Sequence, residues 1–375
     1  MKISVISFDM GHNCLGRAYL LAKVLQRRYD VEVLGSQFPV HGNSIWKPCD
    51  TGEFQYKLVK GCPFPEYFSS IKAMLGEIKG DVVYASKLRM PSFGIALLKK
   101  ISSFKPVVLD IDDLETSWFS EKDWQAPRKT LLKNPIGPFH TRLMEKLTWA
   151  ANDITTVSTQ LQKRYGGVFV PHGKDTDAMN PERFNRTKLR EEYGVEGYKV
   201  IMFLGTPRPH KGLEEVVHAI KKLKRNDIRF VVVGKGSDQN YERRLQELGG
   251  EQVILLDMIP FGDVAKVLSI SDLVILPQRK IIQAEGQIPA KIFDAMAMAK
   301  PIIATDVSDL SNILNGCGLV VEPGNIEAMA EKIQWVFDRP HDAQEMGLSA
   351  REKCIREYSW DLMEDRLVKI IGKYS

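Results

Sequence analysis

A loop in the second half of the chain carries two closely spaced cations. The apolar run 200–204 is a predicted strand, and Gly205, Arg208, Lys211 and Gly212 follow it before an amphipathic stretch begins. A helix that starts near Lys211 or Gly212 would present free N–H groups and its dipole to this loop. Arg208 would bind phosphate oxygens through a fixed fork, and Lys211 would act as a mobile point charge. The loop therefore predicts a diphosphate site, with merely solvated cations as the alternative.

A second pattern precedes Lys300 and Pro301. A helix is predicted to begin near Pro289, a residue that suits a first helical turn, and it carries Lys291 and Asp294. A carboxylate one turn into such a helix can accept hydrogen bonds from the hydroxyls of a ribose, as acidic residues do in dinucleotide-binding folds. The alternative is a carboxylate that only complements the helix dipole.

Short runs rich in β-branched residues must position these side chains. In the first half the runs are 3–8, 31–34, 82–84, 107–110, 154–157 and 168–170, and in the second half they are 200–204, 230–233, 253–256, 273–276, 302–304 and 319–321. Apolar runs of this length are typical of strands buried on both faces, and amphipathic stretches separate them. The alternation predicts an α/β fold built from doubly wound parallel sheets.

The alternation starts twice, which predicts two Rossmann-like domains. We place the first domain at 1–183 and the second at 184–357. The segment 358–375 is a candidate for a helix that crosses back to the first domain. Two doubly wound domains that face each other would place a ligand in a central cleft, at the carboxyl ends of the strands.

Composition narrows the class of protein. The chain has 375 residues, of which 44% are hydrophobic and 26% charged, and its net charge is +5. These values exclude a disordered or collagen-like chain and suit two globular domains. The apolar stretches are too short for a membrane-spanning helix, and the first residues lack the apolar core of a signal peptide, so we expect a cytoplasmic protein. The five scattered cysteines predict reduced thiols rather than disulfides or a zinc site.

The first half has an excess of basic residues. No acidic residue lies between Asp81 and Asp110, whereas five basic residues do: Lys87, Arg89, Lys99, Lys100 and Lys105. The long connection 114–138 mixes aromatic residues with Lys and Arg, as at a membrane interface or an acceptor groove. A surface that meets an anionic acceptor or an anionic membrane is one interpretation, and a solvated basic face is the other. No nucleic-acid module is recognisable, so we expect no nucleic-acid partner.

The second half resembles the donor domain of glycosyltransferase family 4, the retaining group 1 glycosyltransferases with the GT-B architecture. The matching stretches are FLGTPRPHKG (203–212), VVVGKG (231–236), SDLVILP (271–277), KIFDAMA (291–297), KPIIATD (300–306) and GCGLVVEPG (316–324). Single pieces are weak, but their order and spacing are specific. The first half matches less closely, through its opening strand and loop and through VPHGKDTD (170–177), which resembles the interdomain linker of the family.

The resemblance implies a retaining transferase that moves a sugar from a nucleotide-diphosphate donor to an acceptor. The acceptor would be lipid-linked or a growing polysaccharide, bound by the first domain, and the donor would be bound by the second. Arg208 and Lys211 would neutralise the leaving diphosphate, where negative charge grows in the transition state. Gly205 would lie in the phosphate loop, and Asp294 would hold the ribose.

The family places a glutamate eight residues before the acid that holds the ribose. Gly286 stands at that position here. Glu285 would serve as the catalytic acid if the loop is one residue longer. Otherwise Gln287, Lys291 or backbone amides would replace it, as in the branch of the family with a Pro-x-Lys pattern before the acid.

Two further loops are assigned to donor binding by the resemblance. Ser308, Asp309 and Leu310 stand where the family usually has paired glycines near the sugar and the phosphates. Gly11 and Gly16 follow the first strand and could approach a phosphate or a sugar, with a plain tight turn as the alternative.

Asp112 and Asp113 follow the strand 107–110, where the family often has a His-Asp pair. Asp112 occupies the position of the histidine, and it or Asp113 would touch the donor sugar or the acceptor. Asp110 and Asp112 also form an Asp-x-Asp pattern, the mark of the other major glycosyltransferase fold, in which a divalent ion binds the diphosphate. Because Arg208 and Lys211 already supply positive charge, we expect neither a metal nor another cofactor.

Two other functions remain open from the sequence. One is a different GT-B enzyme, such as a sugar-nucleotide epimerase or hydrolase, which would glycosylate no acceptor. The other is a catalytically weak subunit that binds a nucleotide sugar, an alternative that Gly286 keeps open. We also expect peripheral association with the inner face of a membrane if the acceptor is a lipid.

Overall fold

The computed structural model describes residues 1–236 and 238–375. These residues form two compact units, each with its own parallel β-sheet. The first unit consists of Met1–His172 and Met363–Ser375, and the second of Gly173–Leu362. We predicted domains at 1–183 and 184–357 from the sequence, so the observed division lies earlier in the chain.

The first unit contains a seven-stranded sheet in which every pair of neighbouring strands is parallel. Its strands are β1 (Lys2–Ser7), β2 (Asp30–Gln37), β3 (Lys57–Lys60), β4 (Val82–Ser86), β5 (Val107–Ile111), β6 (Asp153–Thr156) and β7 (Val168–Phe169). They lie in the order β3-β2-β1-β4-β5-β6-β7. Its helices are α1 (Leu15–Leu25), α2 (Tyr67–Glu77), α3 (Ile95–Ser103), α4 (Glu121–Trp124), α5 (Arg128–Lys133), α6 (Pro138–Lys146) and α7 (Thr159–Tyr165).

The second unit contains a six-stranded parallel sheet. Its strands are β8 (Lys199–Leu204), β9 (Ile228–Lys235), β10 (Val253–Asp257), β11 (Leu273–Leu276), β12 (Ile302–Thr305) and β13 (Leu319–Val321), in the order β10-β9-β8-β11-β12-β13. Its helices are α8 (Arg186–Glu192), α9 (Leu213–Leu223), α10 (Gln239–Gly249), α11 (Val264–Ser269), α12 (Ile282–Glu285), α13 (Lys291–Ala297), α14 (Leu310–Leu314), α15 (Ile326–Asp338) and α16 (Pro340–Tyr358). The strand order reverses between β8 and β11, as in dinucleotide-binding folds.

The core of each unit explains why the apolar runs became central strands. Every residue of β4, β5, β11 and β12 is buried, because helices cover both faces of each sheet. In the second unit Phe203, Val232 and Ile275 pack against Val216 of α9. All the strands predicted from the sequence are present, and the predicted doubly wound α/β fold is confirmed in both units.

Three features differ from the expectation or extend it. The strand β3 is not among the runs predicted from the sequence, and it lies in a stretch, 36–67, that is rich in Pro, Gly and aromatic residues. The connection 114–138 contains α4 and α5 rather than a plain loop. The last helix, α17 (Trp360–Ile371), lies mostly in the part of the chain grouped with the first unit, where Glu364 forms ion pairs with Arg27 and Arg28.

Candidate functional site

The loop after β8 is shaped by its two glycines. Gly205 has φ of +131° and Gly212 has φ of +68°, values that L side chains rarely adopt. A Cβ placed on Gly212 would lie 1.9 Å from the carbonyl oxygen of Pro277, which follows β11. The glycines therefore let the loop pack directly against the chain at the end of β11. Between them, Arg208 precedes a 3₁₀ turn that ends at Lys211.

Positive charge is concentrated around His210 in this loop. The pKa of His210 is lowered to about 4, first by burial and then by the positive charges of Lys211, Arg208 and Arg279. The backbone N–H of Arg279 donates to the His210 carbonyl at 3.0 Å. We call Arg208, Lys211 and Arg279, with the neutral His210 between them, the cationic cluster. Such a cluster at the carboxyl end of a parallel sheet suits an anionic ligand.

The members of the cationic cluster differ in their surroundings. Burial lowers the pKa of Arg208, and only the charge of Asp238 acts in the opposite direction. Arg279 instead forms ion pairs with Glu214 and Glu215 at 2.8 and 2.6 Å, which raise its pKa although burial opposes them. Arg208 is therefore a partly buried cation whose charge is only weakly compensated. Such a guanidinium can form charge-assisted hydrogen bonds with phosphate oxygens.

Lys291 brings α13 to the same loop. A Cβ placed on Gly205 would lie 3.2 Å from Lys291 Cε and 3.7 Å from its Nζ, so the lysine lies against the loop after β8. Burial lowers the pKa of Lys291; the charge of Asp294 acts in the opposite direction, and that of Lys174 reinforces the lowering. The sequence placed both Lys291 and Asp294 on one helix, and the structure brings Lys291 to Gly205.

Asp294 has a partner that sequence reasoning did not find. Lys174 Nζ lies 2.6 Å from Asp294 Oδ1, and both side chains are mostly buried. The backbone N–H of Lys174 donates to the Tyr358 carbonyl, and the Trp360 N–H donates to the Lys174 carbonyl. The ion pair therefore joins the start of the second unit to α13. In the sequence, Lys174 stands in the stretch 170–177 that resembles the interdomain linker of the family, and nothing local links it to Asp294.

The loops after β11 and β12 complete this edge of the sheet. Thr305 Oγ1 donates to the Gln278 carbonyl at 2.7 Å and thereby joins the two loops. Ser308 has φ of +56°, so it adopts the left-handed conformation that a glycine would adopt freely. Asp309 and Leu310 are buried, and Leu310 begins α14. A ligand would therefore meet the backbone of Leu310 rather than its side chain.

Glu285 ends α12, ahead of the turn that leads to α13. Its side chain is partly buried, and its carboxylate has no hydrogen-bond or ion-pair partner among residues 1–236 and 238–375. Nothing in the structure joins Glu285 to Asp294 or Lys291. The assignment of a catalytic acid to Glu285 therefore stays a prediction.

Asp112 belongs to a buried cluster in the first unit. Lys87 Nζ lies 2.6 Å from Asp112 Oδ1, 3.0 Å from Glu115 Oε1 and 3.8 Å from Asp113 Oδ2, and Arg89 Nε lies 2.6 Å from Glu115 Oε2. We call these five residues the carboxylate cluster. Burial raises the pKa of Asp112 and raises that of Asp113 to about 6, although Lys87 opposes both shifts. Although burial opposes it, the charges of Arg89 and Lys87 lower the pKa of Glu115 to about 2.

Both carboxylates of the Asp-x-Asp pattern are paired with cations, Asp110 with Arg17 at 2.8 Å and Asp112 with Lys87 at 2.6 Å. In the part of the chain that the structure describes, no three His, Cys, Asp or Glu side chains are grouped as a metal ion would require. All five cysteines are free thiols, as predicted.

Gly11 and Gly16 lie near the carboxyl end of β1 but in different settings. A Cβ on Gly11 would lie 3.1 Å from the His41 carbonyl oxygen and 3.3 Å from that of Ser44, so this glycine permits close packing within the first unit. Its N–H donates to Asp9 Oδ1 at 2.9 Å. Gly16 is the second residue of α1. The tight-turn alternative explains Gly11 without a ligand, and donor binding by either glycine stays a prediction.

Part of the second unit matches a known protein family. The profile of the family described as "Glycosyl transferases group 1" matches residues 185–353. An alpha-D-kanosaminyltransferase of Streptomyces kanamyceticus is 26% identical over 191 residues, which cover 49% of this chain and 48% of that protein. A GDP-mannose-dependent alpha-(1-6)-phosphatidylinositol monomannoside mannosyltransferase of Mycolicibacterium smegmatis is 25% identical over 239 residues, or 59% of this chain and 62% of that protein.

Solved structures share the fold at low identity. Anabaena Alr3699/HepE in complex with UDP and glucose superposes with a TM-score of 0.79 at 15% identity, covering all of both chains. WaaG, a glycosyltransferase involved in lipopolysaccharide biosynthesis, gives a TM-score of 0.68 at 16% identity over 99% of this chain and all of that one. Residues 185–353 match the group 1 glycosyltransferases, and the chain has the GT-B fold, as the sequence analysis predicted.

The extent of these matches differs between sequence and structure. The chain spans about half to two thirds of the length of the first curated relatives that it matches, at 48%, 62% and 65%. Within residues 1–236 and 238–375, no helix is both long enough and apolar enough to cross a membrane.

Proposed function

We propose that this protein is a retaining glycosyltransferase that uses a nucleotide-diphosphate sugar as donor. The observation that carries the proposal is the cationic cluster, whose positive charge, together with burial, lowers the pKa of His210 to about 4. It lies in a unit whose residues 185–353 match the group 1 glycosyltransferases. Cations held at this edge before the reaction would stabilise the charge that grows on the departing diphosphate.

Each donor contact follows from the chemistry of the side chain. Arg208 and Lys211 bind the diphosphate, and Lys291, which lies against Gly205, adds a third cation. Asp294, oriented by Lys174, accepts hydrogen bonds from the ribose hydroxyls. The loop of Ser308, Asp309 and Leu310 offers backbone N–H groups to the sugar or the phosphates. Glu285 is proposed as an acid that contacts the donor sugar.

The acceptor is proposed to bind the first unit. Asp112 is the most exposed carboxylate of the carboxylate cluster, at 11% of its side chain, and Lys87 fixes its position. A fixed carboxylate can accept a hydrogen bond from an acceptor hydroxyl and orient it. The relatives include enzymes named for transfer to phosphatidylinositol monomannoside, which supports a glycan or lipid-linked acceptor. Neither a metal nor another cofactor forms part of the proposal.

A surface on α5 and α6 supports contact with an anionic membrane. It presents the exposed apolar residues Leu132, Phe139 and Leu143 beside the exposed cations Arg128, Lys129, Lys133, Arg142 and Lys146. Glu145, the one acidic residue between Asp123 and Asp153, pairs with Arg164 at 2.6 Å. Cations around apolar side chains are the composition of a peripheral membrane contact.

Nucleotide binding tests the proposal most directly. We expect one of UDP, GDP, ADP and CMP to raise the Tm of the wild-type protein by mass action. Lys211→Ala should lose most of that shift. Lys221→Ala, which removes an exposed lysine at the far end of α9, should keep it. If no nucleotide raises the Tm at millimolar concentration, the donor-site assignment is wrong.

Two further measurements test the finer parts of the proposal. NMR of the product should show the anomeric configuration of the donor, and inversion would contradict the retaining class.

Sedimentation with anionic vesicles tests the membrane surface. At low salt the wild-type protein should be recovered in the vesicle pellet. The pair Lys129→Glu and Lys133→Glu should weaken this binding more than the pair Lys188→Glu and Lys221→Glu, which changes the net charge equally elsewhere. If both double variants lose vesicle binding equally, the surface on α5 and α6 is not a specific membrane contact.

A further inference from the structure

Gln278 is a buried glutamine whose side-chain amide has no hydrogen-bond partner among residues 1–236 and 238–375. The residue is 2% exposed, and neither Oε1 nor Nε2 reaches solvent. Buried polar groups in folded proteins are nearly always paired, because an unpaired amide in an apolar environment is costly. A side chain in this state indicates that a bound molecule completes its hydrogen bonds.

The position of Gln278 agrees with such a role. It follows β11 and Pro277 at the carboxyl end of the sheet, where β11 lies between β8 and β12. The Pro277 carbonyl contacts Gly212 in the loop after β8, and the Gln278 carbonyl accepts the bond from Thr305 in the loop after β12. The strand order reverses between β8 and β11, which is where doubly wound folds bind their ligands.

Ser308 provides a second group of the same kind. Its hydroxyl oxygen is buried and has no hydrogen-bond partner among the described residues. It lies in the loop after β12, which Thr305 joins to the Gln278 backbone. Two polar side chains on neighbouring loops are therefore both without partners at this edge of the sheet.

The chemistry of the two groups restricts the ligand. The Gln278 amide donates through Nε2 and accepts through Oε1, and a serine hydroxyl both donates and accepts. A phosphate oxygen only accepts, and would leave Oε1 unpaired. A metal ion would leave Nε2 unpaired. Neighbouring hydroxyl groups donate and accept at once, so they satisfy both atoms of the amide.

We infer that Gln278, with Ser308, binds hydroxyl groups of the sugar that is transferred and thereby selects the donor sugar. This rests on the proposed function, in which the cationic cluster takes the diphosphate and Asp294 takes the ribose. Apart from the proposed contacts with Glu285 and the backbone of the loop after β12, those assignments leave the sugar hydroxyls without partners. A site built to hydrogen-bond a hydroxyl discriminates strongly against a sugar that lacks it or orients it differently, because its own groups then stay unpaired.

Gln278→Leu tests the inference with two opposite readouts. Leucine removes an unpaired buried amide and retains an apolar side chain, so the Tm of the free protein should rise by about 2 °C or more. The Kd for the nucleotide sugar that binds best, chosen by calorimetry from UDP-glucose and GDP-mannose, should rise about tenfold or more. The Kd for the matching UDP or GDP should change less than about twofold.

Gln252→Leu is the matched control. Gln252 Nε2 donates to the Arg225 carbonyl at 2.7 Å, at the amino end of β10. Its replacement should lower the Tm and leave both Kd values unchanged. Ser308→Gly is the second variant, since glycine adopts the backbone conformation of Ser308 without strain and lacks the hydroxyl. It should weaken binding of the nucleotide sugar and retain the fold.

The outcomes separate this inference from the proposed function. Selective loss of the nucleotide sugar in both variants supports it. Equal weakening of nucleotide and nucleotide sugar places the contact on the nucleoside and overturns it. Unchanged binding in both variants, or a fall in Tm for Gln278→Leu, overturns it while leaving the glycosyltransferase proposal intact. If the wild-type protein binds none of the four nucleotides, the proposed function fails and this inference fails with it.

Discussion

The two units hold charged side chains at their sheet edges in opposite ways. In the second unit the cationic cluster surrounds a neutral His210, and Arg208 has only Asp238 as a weak counter-charge. In the first unit the carboxylate cluster is bonded internally, with Lys87 facing three carboxylates. A weakly compensated cation such as Arg208 is suited to a charged ligand, whereas a cluster that is bonded internally is suited to hold its own geometry.

The largest effect is expected from breaking the internal bonding of the first unit. Lys87→Met would leave the buried Asp112, Asp113 and Glu115 without their shared cation. We expect a loss of about 3–5 kcal/mol in the free energy of unfolding, measured by urea denaturation. Lys105→Met, which removes a more exposed lysine paired with Asp81, should cost less than about 1 kcal/mol. Equal losses would show that the carboxylate cluster is not a buried network.

The cationic cluster should behave in the reverse manner. Arg208→Ala removes a cation that lacks a close carboxylate, so the Tm should change little. We expect kcat to fall about 100- to 1000-fold, because the departing diphosphate loses a preplaced charge. Arg243→Ala, an exposed arginine on α10, is the control and should leave kcat unchanged. If Arg208→Ala lowers the Tm strongly and leaves kcat normal, Arg208 stabilises the fold and does not act on the diphosphate.

Lys174→Met examines a third arrangement, the ion pair with Asp294. Both side chains are mostly buried, so removal of the lysine leaves the Asp294 carboxylate without its ion-pair partner and with only the charge of Lys291 nearby. We expect a loss of about 1–3 kcal/mol in the free energy of unfolding. The double variant Lys174→Met with Asp294→Asn should recover part of that loss, as a double-mutant cycle would show. Additive losses would contradict a direct interaction.

The two units should also respond oppositely to acidification. His210 has a pKa lowered to about 4 from an ordinary 6.5, so the unfolded chain binds its proton first, and stability is lost as the pH falls from about 6.5 to 4. Asp113 has a pKa raised to about 6, so the folded state binds its proton first, and stability is gained as the pH falls through 6. Between pH 7 and pH 5 the free energy of unfolding should therefore fall by about 1–2 kcal/mol less in His210→Gln than in the wild type.

Asp113→Asn is the counterpart and should remove the gain in the same interval. Unfolding free energies of both variants and the wild type at pH 5, 6 and 7 measure the two contributions. Shifts of the same sign in the two variants would contradict the assigned pKa values.

Much of the fold was predictable because it is encoded by local pattern. Buried strands such as β8 and β11 are continuous apolar runs, and α15 is an amphipathic stretch with its apolar residues at helical spacing. The strand β3 was missed because KLVK is short, is bounded by charged residues and is only half-buried at the sheet edge. The predicted domain boundary after 183 and the division of the two compact units after His172 differ because the stretch after Val170 carries no periodicity that assigns it to either unit.

The sequence by itself determined the doubly wound units, the loop that places Arg208 and Lys211 after β8, and the helix that carries Asp294. These follow from periodicity, from glycine positions and from charges close together in the chain. Only the tertiary structure decided that Lys174 pairs with Asp294, that Lys87 bonds to Asp112, and that the buried Gln278 amide has no hydrogen-bond partner among the described residues. Each of those facts depends on segments far apart in the chain that packing brings together, and packing of that kind leaves no local pattern in the sequence.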